Sequence, residues 1–435
     1  MNRSLLLASG LALVAGTLST HAAPWIEMID PGYYVTDLSF DGSVAAGNIV
    51  GDGTYETFRW TALSGPVALG QASVPTIGVG GGSPDISYNG TRVSASILSS
   101  DWMLTLGCWD VQSGWTEAFP PAPPFVTVVD QAYGSAWGIS GDGKQVVGYY
   151  YFNTGASPRV QTCSWSPDTG AIIDHQTSRG RANAASYDGS VVVGWEDSGL
   201  GPWIPTAWRG AVKYPLTSYG LGSTQAAAVN ADGSVIVGNG PDEYGVMRAA
   251  TIWRWNGVSY DTEVVGYLPD TVFASGSATF TSVSDDGSVA VGFNFWSLNP
   301  GAGGAAIYWS EATGLISGEE YLSMLGLTVP DNIYLLDFES VSPDGSTIAA
   351  AGMRTDIGVY QSFLIHLNSP CAADLNHDGI VDDSDFVLFA DAYNLLDCQD
   401  PAMASYCAAD LNRDGVVDDA DFVMFADAYN ALLCP

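Results

Sequence analysis

The sequence predicts a mainly all-β chain, a seven-bladed β-propeller followed by a small C-terminal α domain. Three observations carry that expectation. A motif of the form Ser-x-Asp-Gly-Ser-Val recurs in seven variants along the body. The composition, with 51 Gly, 21 Tyr and 14 Trp but only 13 Lys plus Arg, suits strands and turns better than helices. The segment 371–435 contains a close internal duplication with helical spacing of its aromatic residues.

Residues 1–23 read as a secretory signal peptide and not as part of the fold. Arg3 precedes an apolar run from Leu5 to Ala15, and small and polar residues lead to Ala22 and Ala23. A membrane-spanning helix needs about 20 apolar residues, so no membrane span is expected here or later. The mature chain is expected to be secreted or held at the cell surface. Its remaining length exceeds one ordinary core, which divides it into a body over 24–368 and a tail over 369–435. The formal charge of −34 repels phosphate backbones and anionic lipid, so no nucleic-acid partner is expected; it suits cations or a neutral polymer.

The seven turns are Asp41-Gly42, Asn89-Gly90, Asp142-Gly143, Asp188-Gly189, Asp232-Gly233, Asp286-Gly287 and Asp344-Gly345. They are 44 to 58 residues apart, as expected for propeller blades with variable loops. Each reads as a tight hairpin with both central residues at φ > 0. A small residue follows six positions on, as at Gly47, Gly194 and Ala350, and is expected to admit close backbone approach. A later strand ends in Trp60, Trp109, Trp165, Trp208, Trp255 or Trp309, with His366 in the seventh copy. These large rings are expected to cement neighbouring blades. This pattern resembles the bacterial extracellular family called HAF repeats over roughly residues 36–367, a resemblance that implies a repeat type and no common activity. The turn also resembles the sialidase Asp-box, but the spacing departs, since Asp and Gly are adjacent here and the Trp is far downstream, so no sialidase chemistry is expected.

Complete copies carry an extra short strand after the Trp, such as Pro66–Leu69, whereas the last copy has none. Residues 24–30 are a spare strand and are expected to pair beside 361–367, since closure removes exposed sheet edges. Cys108 and Cys163 are read as buried thiols of the body.

The tail carries the sharpest chemistry. Residues 371–398 and 407–434 differ at six positions, and each holds Asp-x-Asn-x-Asp-Gly followed by Asp at position 12. The first loop supplies Asp374, Asn376, Asp378, Ile380, Asp382 and Asp385; the second supplies Asp410, Asn412, Asp414, Val416, Asp418 and Asp421. Calcium takes about six to eight oxygens, and this spacing delivers them, with Ile380 and Val416 contributing backbone carbonyls. Two Ca2+ ions are therefore expected. Val381 and Val417, at position 8, are expected to pack inward. Phe386, Phe389 and Tyr393, like Phe422, Phe425 and Tyr429, share a helical face. No helix-forming stretch precedes either loop, so these are half EF-hands.

Paired half EF-hands with Asp at position 12 resemble the type I dockerin over 371–435. That resemblance implies a cohesin-like partner and a tethering role. The recognition positions depart from the family pattern: Asp383-Ser384 and Asp419-Ala420 stand at loop positions 10 and 11, and Ala390-Asp391 and Ala426-Asp427 replace the basic pair. Duplication favours the disulfides Cys371–Cys398 and Cys407–Cys434; the crossed arrangement Cys371–Cys434 with Cys398–Cys407 is the alternative.

No catalytic motif stands out in the body. Outside the signal peptide and the calcium loop, histidine occurs only at positions 175 and 366, which argues against a histidine-ligated metal centre or a His-based triad. The leading expectation is a propeller that recognises a glycan or protein, anchored by its tail. The alternatives are a tethered polysaccharide-degrading enzyme and a structural envelope component. Two carboxylates about 5–9.5 Å apart in an aromatic cleft would indicate hydrolysis.

Overall fold

The structure is a computed structural model. It describes residues 24–50, 56–72, 82–119, 126–129, 132–153, 158–175, 179–197, 201–272, 275–297, 303–330, 332–367, 373, 375, 381–398, 403, 407, 409–411 and 416–431. The body is almost entirely strand. Five sheets of four strands and one of eight are formed by the described residues. The eight-stranded sheet is two antiparallel meanders that touch through one parallel pairing, Arg248 with Ser277. The first six repeats thus make one four-stranded meander each, and the seventh makes three strands completed by the N-terminal strand Trp25–Met28. Among the described residues no helix is long and apolar enough to cross a membrane.

The seven turns share one set of bonds, which explains the motif. In the first, Gly42 N–H donates to Ser39 O (2.9 Å), Ser43 N–H to the Asp41 carboxylate (3.0 Å) and Val44 N–H to Ser39 Oγ (2.9 Å). Only the glycine has positive φ, 69° at Gly42 and between 68° at Gly90 and 74° at Gly345 across the seven turns. This corrects the expectation that both central residues would. The loop is a longer one built on a β-turn closed by a left-handed glycine, and the Asp serves by capping the next N–H. A Cβ on Gly233 would also lie 2.4 Å from Val191 of the preceding unit.

The small residue six positions on faces the inner strand. That strand carries a register shift in most units, for example between Ala182 and Ala184. The shift brings a carbonyl inward, so a Cβ on Gly194 would stand 2.0 Å from Arg181 O. The tryptophans pack on the preceding sheet: Trp60 beside Ala349 and Leu364, Trp165 beside Leu106 and Cys108, Trp208 beside Val147, Trp309 beside Val235.

The first and last units meet. Trp25, Ile26, Glu27 and Met28 pair antiparallel with His366, Ile365, Leu364 and Phe363, at the place expected for the spare strand. His366, where other units have Trp, stacks on Trp25 at 4.2 Å and its Nε2 lies 3.2 Å from Glu27. A chain of hydrogen bonds also runs through the residues before the turns. Phe40 N–H donates to Tyr88 O, Tyr88 N–H to Gly141 O, Asp142 N–H to Tyr187 O and Tyr187 N–H to Ala231 O, at 2.8–3.0 Å. Asn230 Nδ2 donates to Asp285 O (2.8 Å), Asp285 N–H to Pro343 O (2.8 Å), and Asp344 N–H returns to Phe40 O (3.0 Å).

A short helix, α1 (Gly318–Met324), precedes the last inner strand and was not anticipated, although Ser317 with Glu320 is a capping signature. The tail has two further helices, α2 (Asp383–Tyr393) and α3 (Asp419–Ala431). Its disulfide is Cys398–Cys407. This overturns the expected within-copy pairs, which would need Cys398 and Cys407 for other partners; Cys371 and Cys434 lie outside the described residues. The bond joins the end of one copy to the start of the next, only nine positions away. Cys108 and Cys163 are buried free thiols.

Candidate functional site

Of the expected calcium residues, Asp382, Asp385, Asp410, Val416, Asp418 and Asp421 are described. Asp374, Asn376, Asp378, Ile380, Asn412 and Asp414 lie outside the described residues. The two copies build the same local structure. Asp385 Oδ2 accepts from Asp382 N–H (2.9 Å) and Asp382 Oδ1 from Ser384 N–H (2.7 Å). In the second copy Asp421 Oδ2 accepts from Asp418 N–H (2.9 Å) and Asp418 Oδ1 from Ala420 N–H (2.8 Å). Each position-12 carboxylate thus sits at a helix N-terminus, where the backbone dipole favours negative charge. Both are fully buried, at 0% exposure.

The loops pack against one another through Val381 and Val417, each 0% exposed. Phe389 and Phe425 stack at 4.9 Å in the same core. Tyr393 donates to Asp419 (2.6 Å) and Tyr429 donates to Asp383, so the two halves exchange equivalent contacts. The two aromatic faces meet, Phe386 with Phe425 at 6.1 Å and Phe389 with Phe422 at 6.0 Å, although Phe386 and Phe422 stay 45% and 43% exposed and only the middle ring of each trio is fully enclosed.

A second site went unrecognised in the sequence. A cavity of about 260 Å³ runs between the inner strands, lined by residues from all seven units. One wall, from the seventh, first and second units, is acidic: Glu339, Asp37 and Asp85. Asp337 lies beside Glu339, and Tyr34 donates to both (3.0 Å to Asp337). Burial, and then the neighbouring Asp37, holds Asp85 well above the usual carboxyl range. Burial, and then Glu339, does the same to Asp337, and burial raises Glu339. Asp37 and Asp85 also stitch units together, accepting Ile86 N–H (3.0 Å) and Ile139 N–H (2.9 Å).

The facing wall carries Trp137, Arg181, Asn183 and Gln225. The Arg181 guanidinium lies 3.3 Å from the centroid of Trp137, and it donates to Asn183 Oδ1 and Gln225 Oε1, both at 2.7 Å. At the turn end the rings of Phe40, Tyr88 and Tyr187 crowd together at 5.3–5.8 Å, and Tyr88 reaches across to Asp285 (2.7 Å). The available signal was positional. Counted back from each turn Asp or Asn, the polar residues of the cavity fall at the fourth, fifth or seventh place, as Asp37 and Asp85, Asn183 and Glu339, and Arg181 and Gln225 do, while the turn itself hardly changes.

Burial pushes the Asp285 carboxyl up to about 6. A carboxyl raised in the folded state stays neutral longer there than in the unfolded chain. Its full stability is thus present below the ordinary value of 3.8 and is lost as pH rises toward 6. Asp285→Asn is expected to gain on the order of 1–3 kcal/mol at pH 7.5, using about 1.4 kcal/mol per pH unit. Urea unfolding at pH 4 and pH 7.5 checks this; an equal loss at both would contradict it.

No protein-family model matches the chain, and no curated protein matches it. Among solved structures it is similar to TolB from Acinetobacter baumannii at 12% identity and a TM-score of 0.40, over 76% of this chain and 65% of that one. It is similar to the β-propeller domain of the Trilobed protease from Pyrococcus furiosus at 11% and 0.46, over 76% and 95%. Oligogalacturonate lyase from Vibrio parahaemolyticus gives 14% and 0.45, over 78% and 91%. The chain thus spans less than two thirds of the TolB chain. With every score at 0.46 or below, the architecture rests on the strand pairing and not on these likenesses.

Proposed function

We propose that the chain is an exported, calcium-dependent carrier. Residues 24–368 form a closed seven-bladed propeller of HAF-type repeats that recognises a glycan or protein. Residues 369–435 form a dockerin-like module that docks the chain onto a cohesin-like domain. The observation that carries this reading is the paired geometry of Asp385 and Asp421, each fully buried at a helix N-terminus with the same bonds. Burying a carboxylate is costly unless charge or hydrogen bonds compensate it, and a hard cation held by Asp and Asn oxygens meets that need. The ion would be held by Asp374, Asn376, Asp378, Ile380, Asp382 and Asp385 in one loop. Asp410, Asn412, Asp414, Val416, Asp418 and Asp421 would serve the other. When bound, Ca2+ supplies charge neutralisation; the chain's own residues cap the helices and join the loops through Val381 and Val417. The test is capture of the full mature chain on immobilised cohesin domains. Capture is expected with Ca2+ and not with chelator, and absence of capture by every cohesin type would overturn the docking role.

A further inference from the structure

We propose that the central channel binds a small zwitterion, an amino acid or short peptide with both ends free, its carboxylate on Arg181 and its ammonium toward Asp37, Asp85 and Glu339. The inference rests on reading the body as a recognition domain and names the chemistry of one site within it.

Arg181 is the first reason. It is 8% exposed, yet both hydrogen-bond partners of its guanidinium are neutral amides. No ion pair among the described residues includes it. A buried cation without a counter-charge is costly, and burial lowers the proton affinity of this one, to a pKa of about 9. A ligand carboxylate in the cavity would remove that cost through charge-assisted hydrogen bonds.

The second reason is placement. Arg181 stands on the fourth of seven inner strands, and in a ring of seven the point facing it falls between the seventh and the first. Glu339 and Asp37 line the cavity from those two strands, with Asp85 next to them. Asp37 and Asp85 accept backbone N–H groups, and among the described residues no acid pairs with Arg181, so the charges stay separated across the cavity. Such a field orients a molecule carrying both signs. The volume of about 260 Å³ equals roughly nine waters at about 30 Å³ each, room for a small molecule. A free anion would be repelled by the net charge of −34, whereas a zwitterion brings no net charge.

The test is isothermal titration of the full mature chain with the free amino acids and glycylglycine. The controls are glycylglycine amide, N-acetylglycylglycine and glucose. At least one zwitterion is expected to bind, with each blocked derivative weakened at least tenfold and glucose not bound. Arg181→Gln should abolish binding and Glu339→Gln should weaken it, each in a chain that still unfolds cooperatively in urea. No zwitterion binding, or equal binding of the blocked forms, would overturn the proposal. If the channel fails this test while a glycan or protein binds elsewhere on the body, the recognition reading survives and the zwitterion site does not.

Discussion

A chain lacking residues 24–30 is expected to lose most of the stability of its body. Ile29 is 1% exposed and packs with Val35, Leu38, Ala349 and Leu364, joining the first sheet to the last. Its N–H donates to Ser362 O (3.1 Å) and its carbonyl accepts from Gln361 Nε2 (2.6 Å). Burial of one such side chain is worth about 1.5–3 kcal/mol, and each strand hydrogen bond adds about 0.5–1.5 kcal/mol. Total stabilities are only about 5–15 kcal/mol. The truncation would also expose Tyr360–His366 as a bare edge, inviting association. A fall in the urea midpoint together with oligomers on size exclusion is expected. An unchanged midpoint would mean that the ring does not depend on this strand.

The second large effect is expected from Asp385→Ala combined with Asp421→Ala. Each substitution removes the third-position carboxylate that caps the Asp382 or Asp418 N–H, a bond worth about 0.5–1.5 kcal/mol, and under the calcium reading also a ligand of each ion. A module of this size relies on metal and disulfide more than on its core. The calcium-dependent gain in helical signal should disappear while the body unfolds as before. The paired Asn variants separate the two roles, since Asn caps a helix but brings no charge. They should retain part of the helix without calcium and respond to it only weakly. A full calcium response in the Ala variant would remove these residues from the site.

Much of this was legible because the repeats punctuate the chain with strong local rules. Ser39, Asp41 and Gly42 each bond or bend in a way fixed by residue type, so their recurrence located seven hairpins. The turn subtype was misread because Asp-Gly also fits a longer loop in which only glycine turns left-handed. Gly194 was correctly marked for close approach, but the carbonyl it meets comes from an irregularity in the inner strand that no propensity encodes. The channel was missed for a related reason: Arg181 and Glu339 become neighbours of one cavity only after the sheets are arranged around it. The disulfide shows the limit of duplication as a guide. Copies of a sequence preserve local bonds such as the Asp382–Asp385 cap, whereas Cys398 and Cys407 pair across the join between copies.

The most direct test of the calcium reading is calorimetric titration of Ca2+ into the full mature chain after chelator treatment. Two ions per chain are predicted, with dissociation constants no weaker than about 10⁻³ M, the range at which extracellular modules work. Binding should coincide with a rise in helical signal from 371–435. A titration with no heat of binding and no change in that signal would contradict the account.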